Sequence, residues 1–239
     1  MAIVNETALP PMIDAFFRGN YDFLNRAAEP RLAGFYTHVG NWEPVTEDGQ
    51  TALRQDGTEY RSSLGTGLAK MMSKMMGSRY QDFLDNIEAY FYFPLAIARE
   101  SEVQDAVVKV RVKSTAGHID RAGGLAFGIK NVANYFVWRV NALEDNVILF
   151  EYVNNQRLQR ARLPLKISTG QWYDLRVEVA GAAIRGFVDG ELLLEYEAAK
   201  PVTGYVGLWT KADSVAFFEE LSIETQGKIR VIEFPGALP

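Results

Sequence analysis

The chain has 239 residues, 48% of them hydrophobic, a formal net charge of −5 and no cysteine. That length and apolar share suffice for the core of one large domain. Disulfide staples, thiolate zinc sites and a cysteine nucleophile are excluded. With mild acidity and no basic run, neither nucleic acid nor a membrane is an expected partner.

The first residues, Met1 to Glu6, show no basic region followed by an apolar one, and no run of 18 or more apolar residues exists. A cytoplasmic location is expected on that basis, although a leader already removed would leave no trace. Residues 7–20 read as a short helix. Pro10 and Pro11 suit its start and Gly19-Asn20 its end. Residues 1–34 are therefore read as a partly helical N-terminal extension. A hairpin follows, with Asn41 to Val45 and Thr51 to Gln55 as strands about the Asp48-Gly49 turn. Residues 64–86 depart from the strand pattern. Leu64, Leu68, Met71, Met72, Met75 and Met76 recur at helical spacing, with Lys70, Lys74 and Arg79 between them. This predicts an inserted amphipathic helix. Its methionine stripe either packs on a sheet end or serves as a lid, ligand wall or homo-oligomer surface.

From residue 87 onward the pattern is strands. Runs are expected at 89–94, 106–112, 124–129, 135–140, 147–153, 156–160, 172–179, 183–188, 191–196, 204–209 and 214–223. In the seventh, Asp174, Arg176 and Glu178 alternate with Leu175, Val177 and Val179. Thr169-Gly170, Ala180-Gly181 and Asp189-Gly190 punctuate the series. Short strands at regular spacing predict a mostly β, antiparallel two-sheet jelly-roll sandwich, not a parallel α/β sheet. It would occupy residues 35–226, with 227–239 as a C-terminal tail.

Two stretches carry a family resemblance. Gly170-Gln171-Trp172, an alternating strand, a short turn, a second strand and Asp189-Gly190 resemble the laminin G-like and concanavalin A-like jelly roll. More closely, Gly117 to Phe127, Asn134 to Arg139, Asn141 to Val147 and Gly204 to Val215 with Phe218-Glu219-Glu220 resemble a bacterial 3-keto-disaccharide hydrolase-like, or glycoside-hydrolase-like, family. The resemblance spans about residues 104–224, with a weaker echo in Asn41-Trp42 and Thr51 to Arg54. It implies a concanavalin A-like fold and a saccharide or glycoside ligand, possible glycoside cleavage included. Glu219-Glu220 stands where such proteins often have paired aspartates, which bears on any calcium ion carried over from them.

The Glu-x-Asp-x-x-Glu strand of retaining glucanases on this fold is absent, and Asp82, Asp85 and Glu88 have other spacing. Two histidines rule out a His-rich metal site but leave a mixed carboxylate site for a divalent ion open. His118, at a strand entry beside Asp120 and Arg121, is either a turn residue or a general base. Strand alternation puts Arg139 and Asn141 on one face, opposite Trp138 and Val140. Arg139 either pairs with Glu144, Asp145 or Asp213, or anchors a sugar oxygen. Trp209, Lys211 and Asp213 share a face if their strand continues, and would combine an aromatic floor with charged rims.

Three functions follow. The first is an enzyme on a 3-keto-glycoside, with His118 or Asp145 as base and Arg139 or Lys211 holding the enolate oxygen. The second is a glycan-binding module using Arg139, Asn141, Trp209, Lys211 and Asp213. The third is an interaction protein using the methionine stripe.

Overall fold

A computed structural model describes residues 32–38, 40–58, 93–154 and 156–236. The helices expected at 7–20 and 64–86 lie outside these residues, as do positions 89–92 of the strand expected there. Among the described residues there are sixteen strands, numbered here in chain order, and every pairing is antiparallel. The first sheet runs β1 (Phe35–His38), β4 (Leu95–Ala98), β14 (Thr203–Thr210), β7 (Ala122–Asn131), β8 (Asn134–Asn141), β9 (Asn146–Val153) and β10 (Gln156–Pro164). The short β5 (Val103–Gln104) pairs with β14. The second runs β13 (Glu191–Glu197), β12 (Ala183–Val188), β11 (Trp172–Ala180), β6 (Ala106–Ala116), β15 (Val215–Thr225), β3 (Gln50–Asp56) and β2 (Asn41–Glu47). On it, β16 (Lys228–Val231) pairs with β15.

Strand alternation builds the core between the sheets. Leu125, Trp138, Val140, Leu149 and Leu208 of the first sheet meet Val108, Val110, Leu175, Val177, Ile184 and Phe218 of the second. The opposite faces of the two sheets differ. Outside the second sheet, Lys109, Arg111 and Lys113 lie beside Asp174 and Arg176, a charged surface. Outside the first, Leu95, Ala126, Tyr135, Val137, Ile148, Phe150, Tyr152 and Trp209 form a second buried apolar cluster. Strands covered on both faces read as near-continuous hydrophobic runs, which is why residues 134–153 show little alternation in polarity.

Two tight hairpin turns were legible. Asp48-Gly49 and Asp189-Gly190 both take positive φ at each residue (50° and 82°, 49° and 83°). This is the twist-matched geometry that Asp-Gly favours. The sequence pattern did not reveal β1, β4, β5 or β16. Leu95-Ala96-Ile97-Ala98 is short and wholly buried, so it has no polar beat to read, and Lys228–Val231, placed in the C-terminal tail, pairs along β15.

Candidate functional site

The loops at one end of the sandwich hold most of the residues singled out from sequence. Asp213 is fully buried, and its carboxylate accepts from the backbone N–H groups of His118 (2.7 Å), Ile119 (2.9 Å) and Asp120 (3.1 Å). Asp120 in turn accepts from Asn141 Nδ2 at 2.8 Å. Lys211 Nζ lies 2.6 Å from the other Asp120 oxygen, an ion contact without hydrogen-bond alignment. Asn141 Oδ1 accepts from the N–H groups of Leu143 and Glu144 at the β8–β9 turn. Arg139 donates to Asn146 Oδ1 at 2.8 Å and to Glu144 Oε2 at 3.0 Å. The chain of contacts from Asp213 to Arg139 thus ties the β6–β7 loop, the β8–β9 turn and the segment after β14 into one unit.

Several sequence expectations take a definite form here. Arg139 pairs with Glu144, and neither Asp145 nor Asp213 is its partner. The β14 strand stops at Thr210, and Ala212 turns at φ 49°. Trp209, Lys211 and Asp213 therefore do not line one extended face. Asp145 stands apart from the network: it sits in the β8–β9 turn at φ 50°, 2.8 Å from Lys166 Nζ, and accepts from Ile167 N at 3.2 Å. The Lys166 hydrogen bond, helped by the Ile167 N–H, holds its carboxyl below the ordinary aspartate value. No hydrogen bond joins the exposed His118 ring to Asp145 among the described residues. Nor do three His, Asp or Glu side chains gather there as a metal cluster.

Arg139 and Trp209 do share a face. A cross-strand row on the outside of the first sheet runs His38, Leu95, Trp209, Gly124, Arg139, Ile148 and Arg162. Gly124 leaves the floor between Trp209 and Arg139 without a side chain, since a Cβ there would meet Arg139 Cβ at 2.6 Å. Neither flanking residue is an open platform: Trp209 is 0% and Arg139 3% exposed. Phe93 stacks on Trp209, with centroids 5.6 Å apart and an 18° tilt, and meets Tyr152 edge-on. Tyr135 and Tyr152 stack at 4.2 Å.

Sequence reasoning missed Tyr135, Phe150, Tyr152 and Arg157. The register Arg157↔Tyr152 places Arg157 on this face at the open edge, but only strand pairing reveals it. The Arg157 guanidinium lies over the Phe150 ring (4.8 Å) and the Phe93 ring (5.3 Å), and Arg139 lies 5.6 Å from the Phe150 centroid. Burial pushes the Tyr135 hydroxyl well above the ordinary phenol range and raises Tyr152 as well, so both stay neutral. Trp209 Nε1, Tyr152 Oη and Arg139 Nε complete no well-formed hydrogen bond although all three are buried. Such groups are costly to leave unpaired and call for an explanation.

Burial disfavours the ionised Glu144, but hydrogen bonds from Asn146 and Arg139 outweigh it and hold its carboxyl below the ordinary value of 4.5. A depressed folded-state pKa contributes stability that is present above the unfolded value and is lost as pH falls through the folded one. Glu144→Gln is therefore expected to flatten the loss of thermal stability below about pH 4.5. Parallel melting curves of the two proteins across acidic pH check this, and identical acid limbs would refute it.

A cavity of about 530 Å³ lies elsewhere, outside the second sheet, lined by Lys109, Arg111, Asp174, Arg176, Glu220 and Ile229 among others. Most of its charges are engaged, although Lys109 makes no ion pair among the described residues and Arg176 Nε and Glu219 Oε1 complete no hydrogen bond. Arg111 reaches Glu219 at 3.0 Å, Asp174 at 3.3 Å and Glu220 at 3.6 Å, while Arg176 packs on Phe187 and pairs with Glu178. The first-sheet face, where two guanidiniums lie against the Phe150 ring, is the better candidate.

No family model matches the chain, and no curated protein matches it. The closer family resemblance drawn from sequence thus has no matching model behind it. Solved structures do match. The carbohydrate-binding module CBM66 from Bacillus subtilis superposes with a TM-score of 0.58 at 18% identity, covering 82% of this chain and 98% of that one. A Bacillus subtilis protein of unknown function with a galectin-like fold gives 0.52 at 9% identity, covering 82% and 91%. These likenesses show one thing about the chain: it folds as an antiparallel jelly-roll sandwich of the kind found in those two proteins.

Proposed function

We propose that the protein binds a small saccharide on the outer face of the first sheet, towards the β9–β10 edge. The observation that carries this reading is the pair of guanidiniums, Arg139 and Arg157, seated over the Phe150 ring beside buried polar atoms that complete no well-formed hydrogen bond. A saccharide presents C–H groups to an aromatic floor and hydroxyls to fixed donors and acceptors, and binding pockets combine those two features. The loop network supports it by fixing Arg139 through Glu144 and Asn146. The shared fold with a carbohydrate-binding module supports it further.

Binding takes precedence over cleavage of a 3-keto-glycoside. A general base must reach the proton it removes. Asp145 is engaged by Lys166 and by the backbone of Ile167, and among the described residues no hydrogen bond links the His118 ring to Arg139. Asn141 and Asp213 act in this reading as positioning residues for the loops, and Lys211 and Glu144 form the polar rim.

Titration calorimetry against a panel of mono- and disaccharides tests the proposal. At least one saccharide is expected to bind, and Arg157→Ala, at an exposed position, should weaken it by about tenfold with an unchanged melting temperature. No binding across the panel, or binding indifferent to Arg157, would remove the site. Turnover of a 3-keto-glycoside that is lost in His118→Ala or Asp145→Ala would restore the enzyme reading.

A further inference from the structure

We infer that the ligand of this face is an acidic oligosaccharide, its carboxylates read by Arg157 and Arg162 on the edge strand β10. This rests on the binding reading above and adds the chemical class. The outward side chains of β10 follow from its pairing with β9: Arg157 opposite Tyr152, Gln159 opposite Phe150 and Arg162 opposite Ile148. All three are exposed, and each offers hydrogen-bond donors, two of them charged. Among the described residues neither Arg157 nor Arg162 is within ion-pair distance of a carboxylate. Their neighbours differ: Arg160, at the bulge, pairs with Glu151 at 2.7 Å, and Lys166 pairs with Asp145. Among the described residues, then, two guanidiniums without a carboxylate partner stand on one face of a chain whose net charge is −5.

Charge on an edge strand also guards against pairing with other sheets. That role needs charge of either sign, held out in water. Arg157 is instead held across the Phe93 and Phe150 rings, which orients a planar guanidinium for bidentate capture of a carboxylate. A neutral sugar hydroxyl is both donor and acceptor and gains little from two cations. Tyr152 and Ile148 are four residues apart on β9, so the two arginines start on the order of 13 Å apart along the strand. That separation suits charges on different rings of an oligosaccharide, with Gln159 facing the stretch between them.

The test uses the full chain and three probes: trigalacturonate, its fully methyl-esterified form, and a neutral trisaccharide, maltotriose. Trigalacturonate is expected to bind about tenfold more tightly than its ester at low salt, an advantage that shrinks as sodium chloride rises. Arg157→Ala and Arg162→Ala should each bring the acid-to-ester ratio towards one without lowering the melting temperature. Equal binding of acid and ester would overturn the acidic class while leaving a saccharide site in place. An acid preference that survives both substitutions would overturn the assignment to β10. Binding of none of the probes, with other saccharides still bound, would overturn this inference alone. Failure of every saccharide would take the binding reading with it.

Discussion

Trp138→Ala is expected to lower the unfolding free energy by about 3–5 kcal/mol, the cost of emptying a large aromatic site in a packed core. Trp138 is fully buried between the sheets, and its Nε1 donates to the Phe187 carbonyl at 3.0 Å. The ring reaches that carbonyl because Gly186, on the opposite sheet, has no side chain. A Cβ there would lie 2.9–3.1 Å from three atoms of the indole. The β12–β13 register slips between Gly186 and Phe187, an irregularity that locally re-aims the backbone. Gly186→Val is therefore expected to cost about 1–3 kcal/mol by overpacking. Trp138→Phe should cost about 1–3 kcal/mol, because the Phe187 carbonyl loses its buried donor. The decisive measurement is the double variant Trp138→Ala with Gly186→Val, in chemical denaturation. The added valine should fill part of the cavity left by the indole, so the double variant should be more stable than the summed single losses imply. Strict additivity would mean that the two residues do not share one space.

Much of the second sheet was legible because one of its faces meets solvent. Asp174, Arg176 and Glu178 alternate with Leu175, Val177 and Val179, and the buried set faces the core as that alternation requires. The first sheet was legible in its strands but not in its layers. Both of its faces are buried in β8 and β9, so polarity no longer tells inside from outside, and only the parity of Arg139 against Trp138 survives as a clue. Site residues were legible where a charge interrupts an apolar run, as at Arg139. They were hidden where their chemistry is that of ordinary core residues, as at Tyr135, Phe150 and Tyr152. Arg157 was hidden for another reason. Its place over the Phe150 ring depends on β9–β10 register, a long-range property that no local spacing encodes. Lys211 and Asp213 looked like members of a sugar-facing strand, but the chain turns at Ala212, and that turn aims Asp213 at the β6–β7 loop.

Asp213→Ala is expected to cost about 3 kcal/mol, although it removes no apolar packing of consequence. Hydrogen bonds to a charged acceptor contribute more than neutral ones, roughly 1.5–3 kcal/mol each, and three made to one carboxylate are not additive. The loop they hold cannot rearrange cheaply. Gly117 enters it at φ 137°, and a Cβ there would fall 1.7 Å from the Asp120 carbonyl oxygen. Asp213→Asn separates charge from geometry. One of its oxygens is replaced by an amide nitrogen, so either the His118 N–H or the Ile119 and Asp120 pair meets a donor in place of an acceptor. The asparagine variant should therefore be destabilised too, by about 1–3 kcal/mol. Melting and denaturant curves of both variants check the stability loss. If Asp213 acts by placing the loops, saccharide affinity should fall with stability, and a bound ligand or lower temperature should restore both together. A stable Asp213→Asn protein that cannot bind would instead mean that this carboxylate touches the ligand. The loop network reaches Arg139 through Asp120, Asn141 and Glu144. Loosening Asp213 should release that guanidinium from the Phe150 ring before the sandwich itself unfolds.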